Sequence, residues 1–239
     1  FVEPGNRLRF NESINRGIIH IEEEKTYHLT YTLADAFGNT TRLSVWIEGK
    51  EQEIPEIETE GTELFHWMAD NRFGAKGIRM TIPKGNLYDD LYFRYSVKED
   101  STALADTHIL HNRPVPLHSS ARLSLRLRVD TLENKQQYGI IRTQKGRRSW
   151  IGGTYRNGWI DGTIKELGNY TVGQDLKAPT ITPLGANTWI SKQAFVFRLS
   201  DNLSGVQTDR GEIDGQFVLF EMNNKSVITY RFDKERLQR

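Results

Sequence analysis

The feature that most constrains the fold is a strict alternation of apolar and polar side chains over residues 121–129. The run reads Ala121-Arg-Leu-Ser-Leu-Arg-Leu-Arg-Val129. Successive side chains of a β-strand point to opposite faces, so a period of two places the leucines on one face and the arginines on the other. The pattern predicts a strand with one buried and one solvated face.

Shorter alternating runs rich in aromatic and β-branched residues predict further strands. No window of a dozen residues keeps the apolar spacing of an amphipathic helix, so we predict an all-β chain. The other predicted strands are 27–33, 42–47, 91–97, 167–172, 195–199, 216–220 and 226–232. Turns are predicted where Gly, Asn and Asp tolerate positive φ, at 37–39, 144–146, 156–158, 161–162, 214–215 and 223–224.

A proline-containing segment, Asp175–Pro183, separates two strand-rich regions. Proline fixes φ and lacks a backbone donor, so Pro179 and Pro183 exclude this segment from the middle of a sheet. A second joint lies at residues 51–63, where glutamates cluster around Pro55 as in a solvated linker. Both segments indicate boundaries between domains.

These joints predict tandem immunoglobulin-like β-sandwiches, of which the first and the last are incomplete. Residues 1–50 are expected to be the C-terminal part of one sandwich, and 51–63 an acidic linker. Residues 64–175 are expected to form a complete sandwich, and 178–239 the N-terminal part of another. The expectation of incomplete ends depends on strand number, because such a sandwich needs about seven strands.

Composition excludes several classes of function. Lys and Arg number 32 against 31 Asp and Glu, and the formal charge of +1 predicts no broad basic field and no nucleic-acid partner. No apolar run approaches the roughly 18 residues of a membrane span, and residues 1–5 lack the layout of a signal peptide. The absence of cysteine excludes disulfides and thiolate catalysis.

Three groups of residues could bind metal, and each has a simpler structural interpretation. His66 and Asp70 have the His-x3-Asp spacing of some zinc peptidases, but two ligands do not complete a catalytic zinc site. His108, His111 and His118 are interpreted as loop or edge packing. The segment Asp201–Gly205, with Asp209 and Asp214, lacks the spacing of a calcium loop and is interpreted as turns capped by aspartate side chains. We predict no catalytic residue, no metal ligand and no cofactor in this chain.

One mixed basic and aromatic stretch is a candidate binding patch. Such residues can stack on sugar rings and pair with carboxylates, although large rings on alternating strands more often face the core. The candidate binding residues are Arg147, Arg148, Trp150, Tyr155 and Trp159, with Arg142 and Lys145 nearby.

Several segments in combination resemble the region downstream of the catalytic domain in lysostaphin/LytM-type metallopeptidases, metallopeptidase family 23, of Gram-negative bacteria. The segments are Arg79–Phe93, Pro116–His118, Ile151–Tyr155, Leu167–Val172, Ala178–Pro183, Phe37–Asn39 and Asp201–Gly205. The zinc site of that family combines His-x3-Asp with His-x-His in a separate domain. No His-x-His occurs here, so no catalytic residue carries over.

The resemblance implies that the chain is the non-catalytic accessory region of a cell-envelope zinc endopeptidase acting on peptidoglycan, with zinc held by the parent's catalytic domain. It implies contact with that upstream domain and a location in the periplasm or on the outer surface. Two alternatives stay open: a carbohydrate- or wall-binding module that uses the basic and aromatic patch, and a structural spacer without a ligand.

Overall fold

The computed structural model describes residues 21–53, 56–224 and 226–232. The chain divides into two compact units, Phe1–Glu60 and Gly61–Arg239. In the described part, strands dominate, and the longest α-helix is four residues. The prediction of an all-β, sandwich-like chain is confirmed. The four-way division into domains stays a prediction.

The described part of the first unit contains an antiparallel hairpin of β1 (Thr26–Ala34) and β2 (Thr40–Glu48). The Asp35 carboxylate accepts hydrogen bonds from the backbone N–H groups of Phe37 and Asn39, both at 2.9 Å. Together with the side chain of Asn39, which contributes most, these bonds lower the pKa of Asp35. The predicted turn at 37–39 is thus held by an aspartate cap.

The hairpin has one apolar and one polar face. Cross-strand pairs Leu29–Val45 and Tyr31–Leu43 share the apolar face, and all four side chains are exposed. On the other face the rings of His28 and Trp46 stack at 4.2 Å among threonines. That this hairpin belongs to an immunoglobulin-like sandwich stays a prediction.

The second unit begins with a β-sandwich over residues 63–174. Its strands are β3 (Glu63–Phe65), β4 (Asn71–Ala75), β5 (Ile78–Ile82), β6 (Leu91–Phe93), β7 (Tyr95–Lys98), β8 (Thr107–Leu110), β9 (Val115–Arg126), β10 (Tyr138–Gln144), β11 (Arg147–Gly152), β12 (Thr154–Arg156), β13 (Trp159–Leu167) and β14 (Asn169–Gln174). β3 and β6 form a separate two-stranded ribbon.

The other ten strands form two five-stranded sheets. The first sheet has the order β11-β10-β14-β8-β7 and the second β12-β13-β9-β5-β4, with all neighbours antiparallel. One buried apolar cluster draws side chains from both sheets, among them Leu123, Leu125, Ile140 and Ile160. The two inner faces therefore pack together, as an alternating strand pattern requires.

Two tyrosines carry polar groups into this core with their hydrogen bonds satisfied. The hydroxyl of Tyr138 accepts from the backbone N–H groups of Thr131 and Leu132, at 2.9 and 3.0 Å. The hydroxyl of Tyr170 donates to the carbonyl oxygen of Glu166 at 2.6 Å, and burial raises the pKa of Tyr170 to about 12. Each bond links neighbouring segments of the sandwich through the core.

The chain then forms a smaller sheet of order β15-β16-β20-β19. Its core is aromatic: the rings of Trp189 and Phe195 meet at 5.2 Å, and those of Phe220 and Tyr230 at 5.6 Å. The elements are β15 (Thr180–Pro183), α1 (Trp189–Lys192), β16 (Ala194–Ser200), β17 (Gly211–Ile213), β18 (Gln216–Val218), β19 (Glu221–Asn224) and β20 (Val227–Arg231).

Several sequence-based boundaries were wrong. The predicted strand 121–129 ends at Arg126, the strand 91–97 is broken at Arg94, and the run 167–172 spans the end of β13 and the start of β14. The predicted turn at 161–162 lies inside β13, and residues 223–224 end β19. The reason at Gly162 is close packing: a Cβ there would come within 2.9 Å of the Ile140 side chain, so glycine serves contact between the sheets instead of a turn.

The joint after β14 is held by Asp175. Its carboxylate accepts a hydrogen bond from the backbone N–H of Ser204 at 2.9 Å, and its own N–H donates to the carbonyl oxygen of Gln137. The proline-containing segment is thereby tied at its start both to the sandwich and to the loop after β16.

We expect Asp175→Ala to speed proteolysis at residues 176–183, while Asp209→Ala, as a control, does not. The hydrogen bonds, led by that of Ser204, lower the pKa of Asp175 from its ordinary 3.8. Because the pKa of Asp175 is lower in the folded than in the unfolded chain, the ionised carboxylate stabilises the fold at pH values above the unfolded pKa. That stabilisation is lost as the pH falls through the folded pKa. In the natural chain, protection measured by limited proteolysis with an acid-active protease should therefore decline below about pH 4. Equal cleavage of both variants would contradict this assignment.

Candidate ligand-binding surface

The structure divides the five candidate binding residues between the two sheets. Arg147, Arg148 and Trp150 lie in β11, at the edge of the first sheet, and Tyr155 and Trp159 lie in β12 and β13 of the second. The sequence placed them within thirteen positions of each other, but the chain crosses from one sheet to the other between Trp150 and Tyr155. They form two local arrangements and not one continuous strand surface.

Trp150 serves packing on the outer face of the first sheet. A Cβ on Gly139 would come 2.3 Å from the indole ring, so the ring lies directly against the glycine backbone. The cross-strand neighbour of Trp150, Ile141, is fully buried. Arg148 extends toward Gly173 of β14 on the same sheet. Two glycines thus make room for the side chains of β11.

Tyr155 belongs to a local polar cluster. Its hydroxyl donates to the Asp130 carboxylate at 2.6 Å, and the Lys135 ammonium lies 2.5 Å from the same carboxylate and 5.3 Å from the Tyr155 ring centroid. The hydrogen bond to Asp130 raises the pKa of Tyr155, and the hydrogen bond from Lys135 is the largest influence that lowers the pKa of Asp130. Elsewhere in the sandwich, Arg142 of β10 and Glu166 of β13 form a 2.5 Å ion pair that links the two sheets.

Trp159 lies on a different surface, the outer face of the second sheet, which we call the arginine face. Cross-strand pairing arranges the outward residues in three rows. The first row is Arg72, Thr81, Arg122 and Thr163. The second is Gly74, Arg79, Ser124, Asp161 and Thr154. The third is Arg126, Trp159 and Arg156.

The spacing on this face follows from sheet geometry. Arg122 and Arg126 are four positions apart on β9, which is about 13 Å, and Arg126 and Arg156 are two strands apart, about 10 Å. The Arg79 guanidinium stacks on the Trp159 ring, 4.2 Å from its centroid. This contact joins the second and third rows.

The arginine face carries a local excess of positive charge. Its three rows hold five arginines and one aspartate, Asp161, whose nearest carboxylate oxygen is 3.8 Å from the Arg156 Nε. A shallow groove of about 510 Å³ lies on this face, and its lining includes Arg122, Ser124, Thr154, Arg156, Asp161 and Thr163. The formal charge of +1 is a sum over the whole chain and does not show that arginines are concentrated on one face. The prediction that the chain has no basic field is therefore wrong for this face.

The arginine face could be predicted only in part from the sequence. Alternation placed Arg122 and Arg126 on the polar face of a strand, but it did not show which strands lie beside β9. Arg72, Arg79 and Arg156 join them only through pairing across the sheet. The sequence-based site candidates therefore included none of the five arginines, and they included Trp159 only because it lies close in sequence to a different basic turn.

The histidine candidates do not converge on a metal site. The Nδ1 atom of His66 is 3.5 Å from the Asp90 carboxylate, whereas Asp70 accepts a hydrogen bond from the backbone N–H of Lys84 at 2.8 Å. Residues 21–53, 56–224 and 226–232 contain no group of three or more side chains suited to hold a metal ion.

His108 and His111 are both buried. His111 packs in the loop after β8, as interpreted, whereas His108 lies in β8, an interior strand of the first sheet, and not in a loop or at an edge. His108 points inward from β8, and its Nδ1 lies 2.9 Å from the hydroxyl of Tyr95. His111 follows the strand with a φ of 74°, and its Nδ1 accepts from the backbone N–H of Arg94. This left-handed residue turns the second imidazole inward, which strand alternation could not predict. His118 is exposed, with its ring 6.0 Å from that of Tyr88.

The segment Asp201–Gly205 forms an aspartate-capped turn. One carboxylate oxygen of Asp201 accepts from the backbone N–H groups of Leu203 and Gly205, both at 2.8 Å. The carboxylate is thus used within its own loop, in agreement with the interpretation of this segment as a capped turn.

Residues 62–175 match the family model of the Zu5-like domain, which covers the β-sandwich and just under half of the chain. No curated protein and no solved structure matches the chain. The match connects the sandwich to the Zu5-like domain and not to metallopeptidase family 23, so the resemblance to that family stays a prediction. No helix in the described residues is long and apolar enough to cross a membrane.

Proposed function

We propose that this chain is a non-catalytic accessory region that anchors a cell-envelope enzyme to an anionic wall glycan through the arginine face. The anchored enzyme in this proposal is a peptidoglycan-cleaving zinc endopeptidase whose metal is held by its own catalytic domain. The location is the periplasm or the outer surface. The resemblance stated above motivates the enzyme and the location, and the arginine face motivates the binding.

The observation that supports binding is the combination of five arginines, interleaved hydroxyl groups and one stacked indole on a single sheet face. Guanidinium groups pair with carboxylates in a fixed, two-pronged geometry, and hydroxyl groups bond to sugars as donors or acceptors. Peptidoglycan presents both partners, because sugar hydroxyls alternate with peptides that carry free carboxylates.

A glycan fits this face better than a single-stranded nucleic acid. Proteins that hold single strands stack successive bases on several aromatic side chains. The three rows of the arginine face contain one aromatic side chain, Trp159, and the Arg79 guanidinium lies over it. A regular series of bases has no stacking platform there, whereas carboxylates along a glycan can pair with separate arginines.

Retention on insoluble peptidoglycan tests the proposal. We expect the natural chain to co-sediment with purified peptidoglycan and Trp159→Ala to weaken retention about fivefold, because loss of the indole removes the cation–π contact, worth about 1 kcal/mol, that holds the Arg79 guanidinium in place. The matched control is Trp150→Ala, which removes the same side chain from the first sheet and should leave retention unchanged.

Three outcomes would contradict the proposal or part of it. Absence of retention favours a spacer without a ligand. Loss of retention in Trp150→Ala alone moves binding to the basic turn at 144–148. For the enzyme, a complete reading frame without an upstream domain carrying His-x3-Asp and His-x-His would overturn the assignment to a metallopeptidase while leaving the binding result intact.

A further inference from the structure

A cleft of about 660 Å³ opens beside the arginine face, between the turn that joins β4 to β5 and the loop at residues 99–106. Its lining includes Lys76, Glu99, His108 and Arg126. Arg126 also stands in the third row of the arginine face, opposite Trp159. A polymer lying along that row would reach the mouth of this cleft.

One wall of the cleft, the loop at residues 99–106, is held in place by hydrogen bonds. Arg128 donates to the carboxylate of Asp106 and to the backbone carbonyl oxygens of Asp100 and Ala103. The Asp106 carboxylate also accepts from the backbone N–H of Asp100 at 3.1 Å. Arg128 therefore fixes the loop as one wall, and its charge is balanced by Asp106. Lys76 and Arg126 remain as cations, with Glu99 as one opposing anion.

His108 lies at the base of the cleft, 1% exposed. Its Nδ1 is 2.9 Å from the Tyr95 hydroxyl, and a Cβ on Gly77 would lie 3.5 and 3.6 Å from its Cε1 and Nε2 atoms. Burial is the main reason that the pKa of Tyr95 is raised, so its hydroxyl keeps its proton and can donate to Nδ1. The neutral imidazole then carries its own proton on Nε2, the nitrogen on the side of Gly77.

We propose that this cleft is a subsite for a terminal carboxylate of the ligand, held between Lys76, Arg126 and the Nε2–H group of His108. This inference rests on the proposed function for the origin of its ligand, because wall peptides end in carboxylates. It adds a chemical group and a position that the arginine face alone does not specify.

A bound carboxylate couples to protonation of His108. Burial, the largest influence, lowers the pKa of His108, and the Asp106 carboxylate opposes this effect. Of the other groups around the ring, Lys76, Arg126 and Arg128 disfavour the imidazolium, Glu99 favours it, and Tyr95 stays neutral. A carboxylate in the cleft stabilises the charged ring, so the pKa of His108 must rise on binding and affinity must increase as the pH falls.

The test uses acetyl-alanyl-alanine, whose ionisable group is a terminal carboxylate, and its C-terminal amide. We expect the acid to shift the imidazole NMR signals of His108 saturably and to bind about tenfold more tightly below the pKa of His108 than above it, which corresponds to a rise of one pH unit in that pKa. The amide should cause no shift, and the signals of His118 should serve as an internal control. N-acetylmuramic acid, in a parallel titration, distinguishes a sugar carboxylate from a peptide end.

Two variants locate the effect. Lys76→Gln should weaken binding of the acid about fivefold, whereas Arg147→Gln, a change of the same charge on the first sheet, should not. Because His108→Gln could unfold a buried site, Lys76→Gln is the primary variant. Equal binding of acid and amide, no saturable shift, or no effect of Lys76→Gln would overturn the subsite.

The two proposals fail separately. Trp159→Ala should weaken retention on peptidoglycan and keep the response of His108 to the acid. If peptidoglycan retention is normal while His108 does not respond, the cleft proposal fails and the anchoring function stands.

Discussion

Replacing Arg72, Arg122 and Arg126 together with glutamine is expected to weaken binding to an anionic glycan about 100-fold. Each arginine paired with an exposed anionic group contributes about 1 kcal/mol, and 1.4 kcal/mol is a factor of ten in affinity. The measurement is a titration of the full chain with heparin or with solubilised peptidoglycan strands at several salt concentrations. With the densely charged heparin, the slope of log K against log salt should also decrease by about one for each arginine.

A matched variant separates this surface from net charge. The control replaces three exposed arginines outside the arginine face with glutamine: Arg147, Arg148 and Arg198. It removes the same amount of positive charge. We expect that triple variant to bind as the natural chain does, apart from a small decrease from long-range attraction. Similar losses in both variants would show that charge acts non-specifically. Tighter binding of single-stranded DNA than of either glycan would replace a glycan partner with a nucleic acid.

Gly153→Ala is expected to lower the free energy of unfolding of the second unit by about 3 kcal/mol. Gly153 has a φ of 138°, and a Cβ there would come within 2.9 Å of the Asp161 carbonyl oxygen and 2.8 Å of the Ile160 side chain. A strained backbone conformation costs a non-glycine residue about 1–3 kcal/mol, and overfilling a packed site costs a similar amount. Urea unfolding followed by tryptophan fluorescence measures the difference.

The control for this change is Gly74→Ala. Gly74 lies in the edge strand β4, has no unusual φ, and a Cβ there meets nothing within 4 Å. Its replacement should alter the free energy of unfolding by less than about 0.5 kcal/mol. An equally small effect of Gly153→Ala would contradict the claim that the backbone at this crossing between the sheets excludes a side chain.

The conformation of Gly153 also gives a structural reason for the glycine pair in the segment 151–155. Residues 151–155 resembled part of a family pattern, and the structure shows that Gly152 and Gly153 carry the chain from β11 in the first sheet to β12 in the second. The first has a φ of 81° and the second 138°. Two consecutive residues without a Cβ allow this abrupt change of direction.

The sequence by itself determined the all-β class and about half of the described strands. Alternation is a local property: Leu123 and Leu125 must share a face with each other and not with Arg122, whatever else the chain does. The aspartate cap at Asp201 was equally predictable, because the side chain bonds to backbone groups within four residues. Structural features that depend only on residues close together in sequence could therefore be predicted from the sequence.

The tertiary structure alone decided which residues form a common surface. Trp150 and Trp159 are nine positions apart and lie on different sheets, while Arg72 and Arg122 are fifty apart and stand in one row. His108 and His111 likewise became buried through a left-handed residue and contacts with distant strands. Strand order is fixed by the combined packing of two sheets, and a periodic pattern in one strand contains no information about which strand lies beside it.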